Sequence, residues 1–241
     1  PRLRADVDDQ EPTHVAVLAE VQVQHRDAVV VEEEASLVDA GSSRPLSPYY
    51  PPHPKLLARV HTVWQVDRLT LGDESARQMP LPIVPSWQRG RFEIRAVSAA
   101  GVVPQGYLSY HRAKTACEAA GKRLCSEAEW TTACRGAAQL KFPYGSHYLA
   151  GRCNIHRTLH PAHVLHGSSS VGHTDPRLNL VMERVGEQLD PLLRTTGATP
   201  GCASVWGDDS IYDMVGNLDE WIDDPSGVFV GGFYARVSTK G

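Results

Sequence analysis

Near the start of the chain, apolar and polar residues alternate in a pattern typical of β-strands. Valine occupies four alternating positions within residues 15–23, and a second apolar run follows at residues 29–31. Because strand side chains point alternately to opposite faces, this period of two predicts a strand or a hairpin. Residues 41–54 are rich in proline and predict a loop, since each proline fixes φ and removes a hydrogen-bond donor.

Helical spacing of apolar residues is clearest between Ser109 and Gly121. The first predicted helix begins after Ser109, whose hydroxyl can cap it, and ends before Gly121, which suits a left-handed position. One face of this helix carries apolar or small residues at helical spacing: Tyr110, Ala113, Cys117 and Ala120.

A second predicted helix follows directly and begins with a capping box. In the sequence SEAE at residues 126–129, Ser126 and Glu129 can each bond the other's backbone amide. We therefore interpret Glu127 and Glu129 as helix-start residues rather than as an acid/base pair. Trp130 would then face the core.

The rest of the chain has weaker local signals. Residues 59–66 (RVHTVWQV) predict a strand, and about 70 residues after Ala137 look irregular, which is long for one connection in a compact domain. Residues 211–224 followed by 228–237 predict a turn and two short strands.

Composition and charge limit the classes of function. The 241 residues include 24 Lys+Arg and 28 Asp+Glu, giving a net charge of −4, which disfavours a nucleic-acid binder that displaces counterions. No apolar run reaches the roughly 18 to 20 residues that span a bilayer. With 41% hydrophobic residues the chain can bury a core, while 20 glycines and 17 prolines indicate a fold rich in loops.

The five cysteines form no Cys-x-x-Cys pair, which argues against a structural zinc site. Disulfides are plausible, but the odd number leaves at least one cysteine outside any pair within the chain. Cys117, Cys125 and Cys134 lie around the two predicted helices and are interpreted as core thiols or disulfide partners. Trp130 and Trp221 are interpreted as core residues.

Three sequence blocks in a fixed order resemble a known family. They are GKRLCSEAEW with ACRG (residues 121–136), FPYG followed by Cys153-Asn154, and YDMVGNLDEW (residues 212–221) followed by Gly231-Gly232. Together they resemble the formylglycine-generating enzymes, also called sulfatase-modifying factors. The resemblance covers residues 29–241, although residues 55–95 match poorly.

The resemblance implies a fold and a domain boundary. The family's fold is a C-type-lectin-like α+β domain with little regular secondary structure. We expect this domain to occupy residues 29–241 and to be incomplete at its C-terminus, with residues 1–28 as a strand region outside the family core. Family members are often exported, so a secreted or periplasmic, bacterial-type protein with disulfides is expected.

The resemblance also implies an activity, from which this sequence departs. Family enzymes use oxygen and copper(I), held by two thiolates, to oxidise a cysteine in a peptide or protein to formylglycine. The family's cysteine pair lies beyond the Gly-Gly strand, where this sequence reads VGGFY and ends at Gly241. We therefore expect no copper and no oxidase activity in this chain. The alternative is a non-catalytic lectin-like module that binds a peptide, a glycan or a partner domain.

The family also binds calcium, which prefers six to eight oxygen ligands. The resemblance makes Asn217, Asp219 and Glu220 candidate ligands, and Asn154 and Ile155 match the start of a second calcium loop. The alternative for both segments is a loop whose side chains bond backbone amides without a metal.

Five histidines lie within 18 residues: His156, His160, His163, His166 and His173. Imidazole is a common transition-metal ligand, and related sulfoxide synthases use a His-x3-His-x-Glu iron motif. His156 and His160 have the first spacing, but Ala162 stands where the glutamate belongs, and Pro161 is expected to interrupt any helix that aligns them. A solvated loop is the favoured interpretation.

Overall fold

The computed structural model describes residues 35–67 and 77–236, together with the backbone of four short strands before residue 33. The α-helices are α1 Pro54–Asp67, α2 Tyr110–Ala119, α3 Glu127–Arg135 and α4 Pro161–His166. The 3-10 turns are Ser86–Arg89 and Leu178–Leu180. The strands are β1 Leu3–Arg4, β2 Ala16–Leu18, β3 Glu20–Val23, β4 Val29–Glu32, β5 Ala35–Asp39, β6 Ile94–Ser98, β7 Arg123–Leu124, β8 Met182–Val185, β9 Gln188–Pro191, β10 Ala203–Trp206, β11 Asp209–Tyr212, β12 Asp219–Trp221 and β13 Val228–Val230.

These strands form several small sheets rather than one large one. A four-stranded sheet has the order β1-β13-β12-β2, in which β2 runs parallel to β12 and the other pairs are antiparallel. A three-stranded sheet has the order β4-β3-β7. Three two-stranded sheets pair β5 with β6, β8 with β9, and β10 with β11, and the last two are hairpins. The loop-rich α+β class is confirmed, as is the N-terminal hairpin of β3 and β4. The C-type-lectin-like fold and the boundary at residue 28 stay predictions.

Both predicted helices of the central segment are confirmed with their caps. The Ser109 hydroxyl accepts from the Arg112 amide at the start of α2, and Gly121 has a φ of 72° just after its end. At the start of α3, Ser126 and Glu129 form the reciprocal capping box. Arg123 adds an ion pair with the Glu129 carboxylate at 2.6 Å.

The predicted core residues lie in two hydrophobic clusters. One cluster packs α2 against β5, β6 and β12, and it includes Cys117 and Trp221. A second cluster joins α3 to the C-terminal strands and includes Cys125, Trp130 and Cys134. Each of these five side chains is buried, as expected for core residues.

The strand predicted for residues 59–66 is wrong, because this segment belongs to α1. Pro54 occupies the first turn of the helix, where its missing N–H costs nothing. Leu57, Val60 and Trp64 then fall three and four residues apart on the buried face. The β-branched residues in this short apolar run suggested a strand, but the helical period decides the structure.

The irregular stretch predicted after Ala137 contains more structure than expected. We call residues 137–210 the long connection. It includes α4, the turn at Leu178–Leu180, the β8–β9 hairpin, strand β10 and the start of β11. Its disulfide joins Cys153 to Cys202 across 49 residues. Across the part of the chain that the structure describes, no helix is both long and apolar enough to cross a membrane.

Candidate functional site

Two asparagines from separate sequence blocks meet in the protein interior. The side-chain amide of Asn154 donates to the Asn217 side-chain oxygen at 2.9 Å, and the Asn217 backbone amide donates to the Asn154 carbonyl at 2.7 Å. Both residues are buried. The structure therefore joins two candidate ligands that lie 63 residues apart in the sequence.

The backbone of the Gly-Asn turn makes this contact possible. Gly216 and Asn217 both have positive φ, 86° and 59°, a region that glycine and asparagine tolerate best. A Cβ atom on Gly216 would overlap the Asn154 carbonyl group. Glycine is thus required at position 216 by both its φ and the close approach of the other chain segment.

Asn217 also holds the backbone of the long connection. Its side-chain oxygen accepts from the Arg194 amide at 3.0 Å, and its side-chain amide donates to the Arg194 carbonyl at 3.1 Å. The Asn154 side-chain amide donates to the Leu192 carbonyl at 2.8 Å. Asn154 Oδ1, by contrast, is buried and has no hydrogen-bond partner among the described residues.

Asp219 and Glu220 are neighbours on strand β12, so their side chains point to opposite faces. The Asp219 carboxylate forms an ion pair with Arg236. Burial raises the pKa of Asp219 to about 6, and the Arg236 charge opposes that rise only in part. This carboxylate is therefore tied to a cation that the chain itself supplies.

Glu220 is fully buried and accepts a hydrogen bond from the Trp130 indole. Burial raises the pKa of Glu220 to about 8; the Trp130 hydrogen bond opposes the rise, and the negative charges of Asp213 and Asp219 add to it. Asp213 is also buried and accepts from the Gly197 amide at 2.7 Å. Asp213 was not predicted as a site residue, although it belongs to the same sequence block and lies seven residues before Glu220.

The candidate calcium ligands come from two predicted sites, one with Asn217, Asp219 and Glu220 and the other with Asn154 and Ile155. Asp219 and Glu220 face opposite ways, and the Asn217 oxygen already accepts two hydrogen bonds. The Ile155 amide bonds the Cys153 carbonyl at 2.9 Å. Within the described ranges, no three His, Cys, Asp or Glu side chains are arranged to hold a metal.

Two of the five histidines, His160 and His166, make different structural contacts. His166 lies 3.0 Å from the buried Asp175 carboxylate, which also pairs with Arg177 at 2.7 Å. His160 caps α4 by accepting from the Ala162 amide. Pro161 is the first residue of α4, a position that suits proline, so the helix does not extend back to align His156 with His160, as predicted.

The thiols are enclosed in the protein. Cys153 and Cys202 form the disulfide, while Cys117, Cys125 and Cys134 are buried in the two hydrophobic clusters. Burial and, to a lesser extent, the Glu220 charge raise the pKa of Cys134 to about 12. The neutral thiol is therefore the stable form of this residue at physiological pH.

A protein-family model described as "Sulfatase-modifying factor enzyme 1-like domain" matches residues 83–237. The match spans more than half of the 241 residues and includes all three sequence blocks. A comparison with curated proteins found no match.

Proposed function

The chain belongs to the sulfatase-modifying factor enzyme 1-like domain family, and we propose that it is a member without copper-dependent cysteine oxidation through its own thiols. Copper(I) prefers thiolate ligands, and a reacting thiolate must be accessible to a second peptide. The placement of the five cysteines carries this proposal. Two are joined in the disulfide and three are enclosed in the core.

Cys125 and Cys134 are the best remaining candidates for a thiolate pair, since both belong to one cluster. They fit copper(I) poorly. The raised pKa of Cys134 keeps its thiol protonated, and the cluster around both residues is apolar and closed. No copper-dependent step is therefore assigned to this chain.

A peptide assay tests the proposal. The protein is incubated with a Cys-x-Pro-x-Arg peptide, copper and oxygen, and mass spectrometry follows conversion of the peptide cysteine to an aldehyde. We expect no conversion above the rate seen with copper and peptide alone. Turnover that requires the protein would contradict the proposal, and a serine-containing peptide controls for side reactions.

We further propose that calcium, if bound, is held by Glu220 with Asp213 rather than by Asp219. A divalent cation would relieve the repulsion between two buried carboxylates, whereas Asp219 already pairs with Arg236. Isothermal titration of chelator-treated protein should show binding that Glu220→Gln and Asp213→Asn remove. Glu127→Gln, at an exposed carboxylate, is the matched control. Unchanged binding in Glu220→Gln would contradict this assignment.

The alternative function is a non-catalytic lectin-like module that binds a peptide, a glycan or a partner domain. An open cleft beside Arg194 favours a binding role, because the segment that lines it is fixed by Asn154 and Asn217. A buried disulfide is consistent with a secreted or periplasmic location, where oxidising conditions maintain such bonds.

A further inference from the structure

A cleft of about 520 Å³ lies between Tyr49 and Val103 on one side and residues 179–198 on the other. This volume is within the range of sites that bind small molecules, roughly 300 to 1,000 Å³. Val103, Leu180 and Leu193 supply much of its apolar wall. Apart from Tyr49 and Val103, its lining residues belong to the long connection, and none lies in the three blocks that identify the family.

The walls of this cleft are fixed by polar contacts from several directions. The Asn217 side chain bonds both the amide and the carbonyl of Arg194. Arg157 fixes the β8–β9 hairpin through two ion pairs, with Glu183 at 2.9 Å and with Asp190 at 2.7 Å. Because these contacts hold the walls of the cleft in the absence of a ligand, ligand binding would cost little conformational entropy.

Arg194 and Tyr49 bring hydrogen-bond donors to the cleft. The Asp190 carboxylate also lines it and is paired with both Arg194 and Arg157. The Arg194 guanidinium donates to Thr199 at 3.1 Å and to Asp190 at 2.8 Å. Because a guanidinium has five N–H groups, further donors remain for a ligand. The half-buried Tyr49 side chain lines the cleft as well, and its hydroxyl is a second donor. Burial raises the pKa of Tyr49, so this hydroxyl remains protonated and can donate.

We propose that this cleft binds a small molecule with an apolar body and a terminal carboxylate. The apolar body would lie against Val103, Leu180 and Leu193, and the carboxylate would accept from Arg194 and Tyr49. A carboxylate accepts hydrogen bonds only, and its bonds to a guanidinium are stronger than those of a neutral carbonyl. The inference concerns ligand binding and does not rest on the oxidase or calcium proposals.

The probes are 4-phenylbutyrate and its neutral amide, titrated into ¹⁵N-labelled protein and followed by two-dimensional NMR. We expect saturable shifts in the amide signals of Leu180, Leu193 and Arg194, with the carboxylate binding at least about threefold more tightly than the amide. Equal binding of the two probes would overturn the carboxylate assignment. Absence of saturable shifts in the cleft would overturn the site itself.

Substitutions at the cleft locate the binding. Ala198→Trp should fill the cleft from an exposed position and lower the affinity for phenylbutyrate about tenfold or more, whereas Val205→Trp, also exposed but outside the cleft, should not. Tyr49→Phe should lower the affinity about threefold, and Arg194→Met about tenfold, for the carboxylate only. Phenylbutyrate binding that survives Ala198→Trp unchanged would overturn the proposal.

Discussion

Two adjacent regions of this molecule are stabilised in different ways. The helix-pair region, residues 107–136, contains α2, β7 and α3 and is specified mostly by nearby residues. The long connection, residues 137–210, has shorter elements and is held by contacts between distant residues. The structure of the first region is specified by local sequence, whereas that of the second depends on contacts that form only in the folded chain.

In the helix-pair region each boundary has a local cause. Ser109 and Ser126 cap their helices within three residues, and Gly121 ends the first one. Apolar positions at helical spacing then bury Cys117 and Trp130 in separate clusters. Burial of apolar surface, at about 25 cal/mol per Å², is expected to supply most of the stability of this region.

The long connection uses polar and covalent contacts instead. The Cys153–Cys202 disulfide spans 49 residues, and Arg157 pairs with two acidic residues of the β8–β9 hairpin. Farther along, the buried Arg177 pairs with Asp175 and stacks on Trp64 of α1 at 3.7 Å. These contacts explain how a segment with little regular structure can still present a fixed surface.

The largest expected effect is the loss of the disulfide. In the chain-entropy account, a crosslink that closes a loop of this length stabilises the folded state by about 4 kcal/mol. We therefore expect the Cys153→Ala/Cys202→Ala double variant to lose about that much free energy of unfolding in urea titrations. Hydrogen exchange should show that the long connection loses more protection than α2 and α3.

The disulfide experiment also tests whether the helix-pair region and the long connection unfold separately. Wild-type protein treated with a reductant under unfolding conditions should reproduce the midpoint of the double variant. An equal loss of protection in both regions would show that they unfold as one unit, and the contrast between them would fail.

The second prediction concerns the buried ion pair. Asp175→Asn should lower the free energy of unfolding by about 3 kcal/mol, because Arg177 is 1% exposed and would keep an uncompensated charge. Asp208→Asn, at an exposed position, is the matched control and should change little. A double variant, Asp175→Asn/Arg177→Met, should regain much of the loss. If it does not, the charge of Arg177 is not the cause.

The sequence predicted the elements whose signals are local. The caps at Ser109 and Ser126, the buried tryptophans and the family blocks all depend on residues close together in the chain. The strand predicted at residues 59–66 was wrong although a local signal was present, because the β-branched residues were weighted above the helical spacing of Leu57, Val60 and Trp64. What the local pattern did not contain is the contact of Trp64 with Arg177, more than 100 residues away.

The candidate site shows the same limit. The family blocks named Asn154, Asn217 and Glu220, but the partners that determine their chemistry come from elsewhere. Arg194 and Leu192 lie in the long connection, and no spacing rule links them to the asparagines. Asp213 was missed, although an acidic residue in the same short block as Glu220 was a usable signal. The calcium role of these residues stays a prediction.

The third prediction is a pH dependence from Glu220 of β12, which accepts a hydrogen bond from Trp130 in the helix-pair region. Its folded pKa of about 8 is above the ordinary value of 4.5, so the folded state keeps a proton that the unfolded state has released. Stability from this group is therefore present below pH 4.5 and is lost as the pH rises through 8.

Urea titrations in chelator between pH 6.5 and 8 measure this effect. We expect the wild-type free energy of unfolding to fall by about 2 kcal/mol over this range, at about 1.4 kcal/mol per pH unit. Glu220→Gln should have a much flatter profile, and Glu127→Gln should retain the wild-type slope. A flat wild-type profile would show that the Glu220 carboxylate is solvated or paired in the folded protein.

The smallest expected effect is in the helix-pair region. The Ser126 hydroxyl accepts from the Glu129 amide at 3.3 Å, and Ser126→Ala removes that cap at a cost of about 1 kcal/mol. Ser146→Ala, in an exposed loop, is the control, and urea titration again provides the measurement. The cost should stay small because the buried face around Trp130 persists when the cap is lost. A loss as large as that from Asp175→Asn would mean that the helix-pair region also depends on single polar contacts, and the distinction between the two regions would no longer hold.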